Sequence, residues 1–153
     1  MKALSVAVGA LCVFLSASAA SAFPSCDAVS EALQSRIGAK FARKSPLMGN
    51  IFLTHPAADD VVVFCGPRVS VALAKDGAPT ADYLRLATVA ARFVTESNDR
   101  GLPAAIAGCL KAARRASDEL GDGKTEHVSI ECQSFVRDGG GNHITVSPNL
   151  HDD

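Results

Sequence analysis

Cysteine is the residue type whose number and spacing say most about the chemistry of this chain. The sequence holds five cysteines, and Cys12 lies in an N-terminal apolar run that we expect to be removed. Zinc sites usually draw ligands from closely spaced cysteines, whereas an even set in an exported chain is typical of disulfides. The remaining four are widely spaced, so we predict two disulfides. Sequence leaves the connectivity open; we favour Cys26–Cys65 and Cys109–Cys132, because each pair ties a helix to a nearby strand.

A second group that could do chemistry is His55 with Asp59 and Asp60, in a stretch that we expect to be a loop. A histidine and carboxylates can bind zinc or another divalent ion. However, no second histidine stands at helical spacing, and aspartate and proline are ordinary turn residues. We therefore expect a polar turn, with no metal or other cofactor. A metal-assisted hydrolase that uses this loop is the alternative.

Other catalytic patterns are missing from the sequence. It has no Gly-x-Ser-x-Gly motif, no glycine-rich phosphate loop, and no cysteine left over once the four have paired. A site assembled from scattered residues leaves no such motif. The sequence therefore favours a non-catalytic protein without excluding an enzyme.

The C-terminal part of the chain alternates between apolar and polar residues, which predicts a β-hairpin. With the turn at residues 138–142, Arg137 is opposite His143 and Phe135 is opposite Thr145. The outward residues that could bind a partner are then His127, Glu131, Phe135, Arg137 and His143. Phe and Arg are common interface anchors, but a solvated sheet face is also polar. We favour the solvated face and keep a recognition surface as the alternative.

Hydrophobic periodicity predicts the elements that position these residues. A helix capped by Ser25 or Asp27 carries an apolar stripe at every fourth residue and ends at Ser45-Pro46. Strands are expected at 50–54, 61–65 and 69–74, and helices at 79–97 and from Pro103 to the glycines at 121–123. The hairpin follows. The order α-β-β-β-α-α-β-β predicts an α+β fold, with an antiparallel sheet of about five strands and three helices packed on one face.

The N-terminus has the three parts of a signal peptide: a lysine, an apolar run, and small residues before a cleavage site after Ala22. We expect a signal peptide at 1–22, one disulfide-bonded domain at 23–148 and a flexible tail at 149–153. The expected location is periplasmic or extracellular, in a bacterium. The apolar run is too short for a membrane span, so no stable membrane anchor is expected after cleavage.

The overall charge gives no support for binding nucleic acid or an anionic membrane, because the formal net charge is −1. No nucleic-acid partner is expected. The first hypothesis is a small exported binding or accessory module whose partner is an envelope or secreted protein. The metal-assisted hydrolase is the second, and a structural or stress-related envelope protein is the third.

Overall fold

The computed structural model describes residues 23–149. The predicted signal peptide at 1–22, and residues 150–153 of the predicted tail, lie outside the described residues. Asn149, the first residue of that tail, is held by hydrogen bonds. Its backbone N–H donates to the carbonyl of His127 over 2.8 Å, and its side-chain amide donates to the carbonyl of Thr125 over 3.2 Å.

Three helices and seven strands make up the described part of the chain. In chain order they are α1 (Cys26–Ile37), β1 (Lys40–Lys44), β2 (Ile51–His55), β3 (Ala58–Cys65), β4 (Val69–Asp76), α2 (Ala81–Thr95), α3 (Leu102–Arg115), β5 (Leu120–Lys124), β6 (Val128–Ser134) and β7 (Gly141–Pro148). The α+β class is confirmed. The predicted count of about five strands is wrong, because β1 and β5 were not predicted. Among residues 23–149, no helix combines the length and apolar character needed to cross a bilayer.

All seven strands form one antiparallel sheet in the order β1-β2-β3-β4-β7-β6-β5. Helix α1 packs on β2 and β3, α2 on β4 and β7, and α3 on β5 and β6. The helices therefore share one face of the sheet, where the alternating apolar residues of the strands are buried. One row of this core runs across the sheet through Ile51, Val63, Val71, Val146 and Ile130.

Helix α1 is shorter than its apolar stripe predicts. The Ser25 hydroxyl accepts a hydrogen bond from the Ala28 N–H, which caps the helix N-terminus. The helix ends at Gly38, which has φ 75° and donates its N–H to the carbonyl of Gln34. Glycine adopts this left-handed conformation at little cost. The stripe residue Phe41 therefore lies in strand β1 instead of a fourth helical turn.

Strand β5 has the sequence LGDGK. From the sequence, its glycines were expected to terminate helix α3. The structure gives these glycines another role, because they let β5 lie directly against that helix. A Cβ atom added to Gly121 would lie 2.6 Å from the backbone nitrogen of Ala113. A Cβ atom added to Gly123 would lie 3.1 Å from the Cβ atom of Cys109. The approach at Gly121 leaves no room for a side chain, and the approach at Gly123 would make even a Cβ atom a tight contact.

The C-terminal hairpin forms, but with a different register from the predicted one. Gln133, not Arg137, is opposite His143, and Glu131 is opposite Thr145. Strand β6 ends at Ser134, and residues 135–140 form a longer connection that contains a short 3₁₀ turn. The backbone N–H groups of Phe135 and Gly140 close this connection over 2.9 Å each. Predicting the turn from its glycines alone placed its start too late in the chain.

Two disulfides join helices to strands. Cys26 at the start of α1 bonds Cys65 at the end of β3, with Cα atoms 5.3 Å apart. Cys109 in α3 bonds Cys132 in β6, with Cα atoms 5.8 Å apart. These are the pairs that the sequence analysis favoured. The first bridge is half-buried, whereas both cysteines of the second are 1% exposed.

Mild reduction of the folded protein is expected to free Cys26 and Cys65 long before Cys109 and Cys132. Thiol–disulfide exchange requires an attacking thiolate to reach a sulfur atom, and the second bridge is shielded by α3 and β6. Alkylation followed by peptide mass spectrometry measures the order. In denaturant, all four cysteines should be labelled together. Equal labelling rates in the folded protein would contradict the burial of the second bridge.

Tyr83 anchors α2 to the centre of the sheet. Its side chain is fully buried, and its hydroxyl donates a hydrogen bond to the carbonyl of Leu73 over 2.8 Å. Burial, with a smaller contribution from the negative charge of Asp59, raises the pKa of Tyr83 above its ordinary value. The folded protein therefore keeps the neutral phenol at a pH at which the unfolded chain ionises it.

Above about pH 10, this tyrosine is expected to destabilise the fold. Below that pH the phenol is neutral in both states; above it the unfolded chain releases the proton first, so stability falls as pH rises. The sequence contains one Tyr and no Trp, so ultraviolet absorbance reports this group alone. We expect phenolate to form only together with loss of the circular dichroism signal. Ionisation near pH 10 in a protein that remains folded would contradict the burial.

Candidate functional site

His55 lies at the end of β2, and both of its ring nitrogens make hydrogen bonds within the fold. Nδ1 accepts from the Ala57 N–H over 3.1 Å, so Nε2 carries the proton and donates to the carbonyl of Ile37 over 3.1 Å. This histidine ties the β2–β3 turn to the end of α1. To bind a metal, it would have to give up one of these bonds.

The two aspartates that were expected beside His55 in a loop belong to strand β3, so that expectation was wrong. Because neighbouring strand residues point to opposite faces, Asp59 lies on the helix side and Asp60 on the other. Asp59 accepts a hydrogen bond from the backbone N–H of Asp76 over 2.6 Å and pairs with Lys75 over 3.0 Å. These two contacts, the backbone one first, lower the pKa of the Asp59 carboxyl. Within residues 23–149, no three His, Cys, Asp or Glu side chains cluster closely enough to hold a metal.

A groove of about 640 Å³ lies beside these residues, between the end of α1, the β2–β3 turn and the start of α2. Its floor is apolar, formed by Ile37, Leu86 and Val89. Its cations already have partners in the fold, since Lys75 pairs with Asp59, and Arg85 with Asp82. The groove therefore offers an apolar depression with neutralised charges at its rim, and no set of reactive groups.

The sheet face opposite the helices, here called the outer face, is not covered by any element of residues 23–149. Its central strands carry small or apolar side chains where a merely solvated sheet is usually polar. Phe52 and Phe64 stand at the β2 and β3 side, and Phe64 is 39% exposed. The outer-face residues on the five inner strands are Phe52, Thr54, Asp60, Val62, Phe64, Ser70, Ala72, Ala74, Ser129, Glu131, Gln133, His143, Thr145 and Ser147. The edge strands add Lys40 and Arg43 of β1, and Leu120, Asp122 and Lys124 of β5.

Of the five residues predicted for a partner-binding face, three lie at the β6–β7 side of the outer face. Glu131 and His143 point outward from their strands and are exposed. Phe135 lies next to them, and its ring meets that of His143 edge-on with centroids 6.4 Å apart. This side thus combines an aromatic ring with a carboxylate and an imidazole.

The other two predicted residues lie away from this group. Arg137 turns toward the α3–β5 connection, where Nε donates to Glu119 over 3.3 Å and Nη2 donates to the carbonyl of Ala116. His127 precedes β6 at the opposite end of the strand, with Nε2 3.9 Å from the Glu126 carboxylate. The 3₁₀ turn after Phe135 is the physical reason that Arg137 leaves the face, because it ends the strand alternation.

The sequence analysis did not identify the half of the outer face formed by β2, β3 and β4. Strand β4 buries Val69, Val71 and Leu73 and turns the smaller residues between them to the outer face. The run Val61 to Cys65 is apolar at every position, so its sequence does not show that Val62 and Phe64 are surface residues. Comparisons of the chain with protein-family models, with curated proteins and with solved structures found no match.

Proposed function

We propose that this chain is an exported, non-catalytic binding module that recognises another exported protein through the outer face. The observation that carries the proposal is the composition of this face. Small side chains, among them Ala72 and Ala74, form its floor, and the aromatic residues Phe52 and Phe64 stand at one side. A floor of small residues lets a partner backbone approach closely, while exposed aromatic residues are the usual anchors of interfaces.

The size of the outer face also suits a protein partner. Seven strands at a spacing of about 4.8 Å make a face about 29 Å wide. A standard interface buries about 800 Å² on each partner, which a face of this width can supply. Its polar side, with Glu131 and His143 beside Phe135, would give hydrogen-bonding specificity next to the apolar floor.

Export to the periplasm or the extracellular medium of a bacterium is part of the same proposal. It is supported by the signal-peptide pattern at 1–22 and by the two helix-to-strand disulfides, which persist in oxidising compartments. Two disulfides and a rigid sheet are suited to a protein that holds one binding surface in shape outside the cell.

Photo-crosslinking tests the outer face directly. Benzoylphenylalanine in place of Phe64 is expected to give one discrete adduct with a protein of the host envelope or medium. The same probe at Ala112, an exposed residue of α3 on the other side of the molecule, should give none. The substitution Ala72→Arg places a long charged chain on the floor and should abolish the adduct, while Ala112→Arg should leave it unchanged.

Both arginine variants should unfold at the temperature of the parent chain, because both positions point away from the core. An adduct at Ala112 equal to that at Phe64 would overturn the proposal. So would an adduct that survives Ala72→Arg, or the absence of any adduct at Phe64.

A further inference from the structure

The β1–β2 hairpin carries the two most exposed large apolar side chains of the described residues. Leu47 is 95% exposed and Met48 is 69% exposed. Both lie at the tip of the hairpin, here called the apolar tip. The tip is held in shape, since the backbone N–H of Ser45 donates to the carbonyl of Asn50 over 2.8 Å and that of Gly49 to the carbonyl of Ser45 over 3.0 Å. Folding therefore presents these two side chains to the surroundings instead of burying them.

Two further aromatic residues lie at the same end of the molecule. The Asn50 side chain accepts a hydrogen bond from the Cys65 N–H over 3.0 Å, so the end of β3 lies beside the base of the tip. This places Phe64 near the tip. The Cys26–Cys65 disulfide brings the start of α1 to the same place, with Phe23 three residues before it and 54% exposed. The segment 1–22, with the predicted export signal, joins the domain at this end.

The charges around the apolar tip are positive. Between residues 31 and 59 the sequence has no Asp or Glu. Arg43 and Lys44 lie at the end of β1 next to the tip, whereas Arg36 and Lys40 lie at the far end of the hairpin. Arg68, in the turn between β3 and β4, is exposed at the same end. The near-neutral net charge of the chain therefore conceals a basic edge that is balanced by carboxylates elsewhere.

The facing carboxylate at this edge is Asp27, which pairs with Lys44 over 3.2 Å. Their side chains are 79% and 50% exposed, so the pair is screened by water and contributes little. Lys44 can therefore exchange this contact for another anion at low cost. Arg43 lies over the ring of Phe52 with its guanidinium carbon 3.5 Å from the ring centroid, which leaves its charge at the surface.

Protection of the sheet edge explains only part of this arrangement. Strand β1 is a short edge strand with a lysine at each end and an irregular register, and such features prevent strands of other molecules from pairing. Edge protection does not explain Leu47 and Met48, because exposed apolar side chains promote association. A protruding tip of two side chains also offers too little area for a protein interface, which needs about 800 Å² on each partner.

We propose that the β1–β2 hairpin docks the domain reversibly on an anionic phospholipid bilayer. Leu47 and Met48 enter the boundary between headgroups and acyl chains, while Arg43, Lys44 and Arg68 face the phosphates. Shallow apolar insertion combined with basic residues is the usual basis of peripheral membrane binding. The hairpin end adjoins the outer face where Arg43 lies over Phe52, and the rest of that face, with Ala72, Glu131 and His143, remains free to hold a protein partner at the membrane.

Vesicle sedimentation tests the proposal with the chain from Phe23 onward, which contains the whole described domain. We expect binding to vesicles of equal parts phosphatidylglycerol and phosphatidylcholine, and no binding to phosphatidylcholine alone. Binding should weaken as salt is added. The variant K44Q/R68Q should bind about 25-fold more weakly, since each basic residue near an anionic surface contributes a factor of about five.

The matched control is K111Q/R115Q, which removes the same charge from exposed positions of α3 and should change binding less than about twofold. The variant L47S/M48S keeps every charge, and should lower binding about tenfold while leaving a weaker, salt-sensitive component. All of these positions are exposed, so the variants should keep the unfolding temperature of the parent chain.

Equal losses in K44Q/R68Q and K111Q/R115Q would overturn the proposal, because binding would then depend on net charge alone. The absence of vesicle binding by the parent chain would also overturn it. If the parent chain does not bind vesicles and the tip crosslinks to an acidic protein instead, the hairpin binds a protein partner and the proposal is wrong.

Discussion

Replacing Gly121 with alanine is expected to lower the free energy of unfolding by about 3 kcal/mol. The added Cβ atom would meet the carbonyl of Cys109 and would lie 2.6 Å from the backbone nitrogen of Ala113. Both are main-chain atoms of a hydrogen-bonded helix, so no side chain can rotate to make room. Either α3 moves away from β5, or β5 separates from β6. The loss is a large part of the total stability of a small domain, about 5–15 kcal/mol.

Urea unfolding followed by circular dichroism measures this loss, and Gly108→Ala is its matched control. Gly108 lies on the exposed side of α3, and a Cβ atom there has no other atom within 4 Å. Because glycine is a poor helix former, this second variant should be more stable by up to about 1 kcal/mol. The prediction would be wrong if the two alanine variants unfolded at the same urea concentration.

The second large effect is expected at Asn142, a fully buried side chain of β7. Its amide nitrogen donates to the carbonyl of Gly77 over 2.6 Å, and its amide oxygen accepts from the Ser134 hydroxyl over 3.0 Å. Asn142→Ala would break both bonds and leave a small cavity. We expect a loss of about 3 kcal/mol, because a buried polar group without a partner costs about 1–3 kcal/mol.

Ser134→Ala separates the two contributions of this small network. It removes only the hydroxyl bond and leaves the bond to Gly77, so its expected cost is about 1 kcal/mol. Thermal unfolding of both variants against the parent chain gives the comparison. If Asn142→Ala were as stable as Ser134→Ala, the hydrogen bond from Asn142 to Gly77 in the β4–α2 turn would contribute nothing to stability.

Local patterns in the sequence predicted the fold class, the three helices and the buried faces of β4, β6 and β7. Alternation fixed the inward residues of β4, β6 and β7, because a period of two leaves a single choice of face. The elements that were missed are those in which tertiary contacts decide. Strand β1 is exposed along its whole length and has no apolar alternation of its own. Strand β5 contains glycine because α3 lies against it. A contact of this kind, between a strand and a packed helix, cannot be predicted from the local sequence of the strand.

The candidate site was predictable in part for the same reason. Glu131 and His143 were placed on one outward face correctly. The register was wrong by four residues, and a shift by an even number leaves each side chain on the same face of the sheet. Arg137 was misplaced, because the connection between β6 and β7 is longer than its glycines suggest. Phe52, Val62 and Phe64 could not be assigned to an uncovered face, because which sheet face the helices cover is a property of the whole domain.

The last strand of residues 23–149, β7, lies in the middle of the sheet between β4 and β6. A polypeptide that emerges N-terminus first thus forms two partial sheets that face each other with bare hydrogen-bonding edges. These edges stay open to other chains until β7 has emerged and paired with both. Premature termination or proteolytic trimming before Pro148 would remove the strand that joins both halves. We expect nascent or shortened forms to aggregate. In a chain that includes β7, this strand pairs with both open edges and protects them.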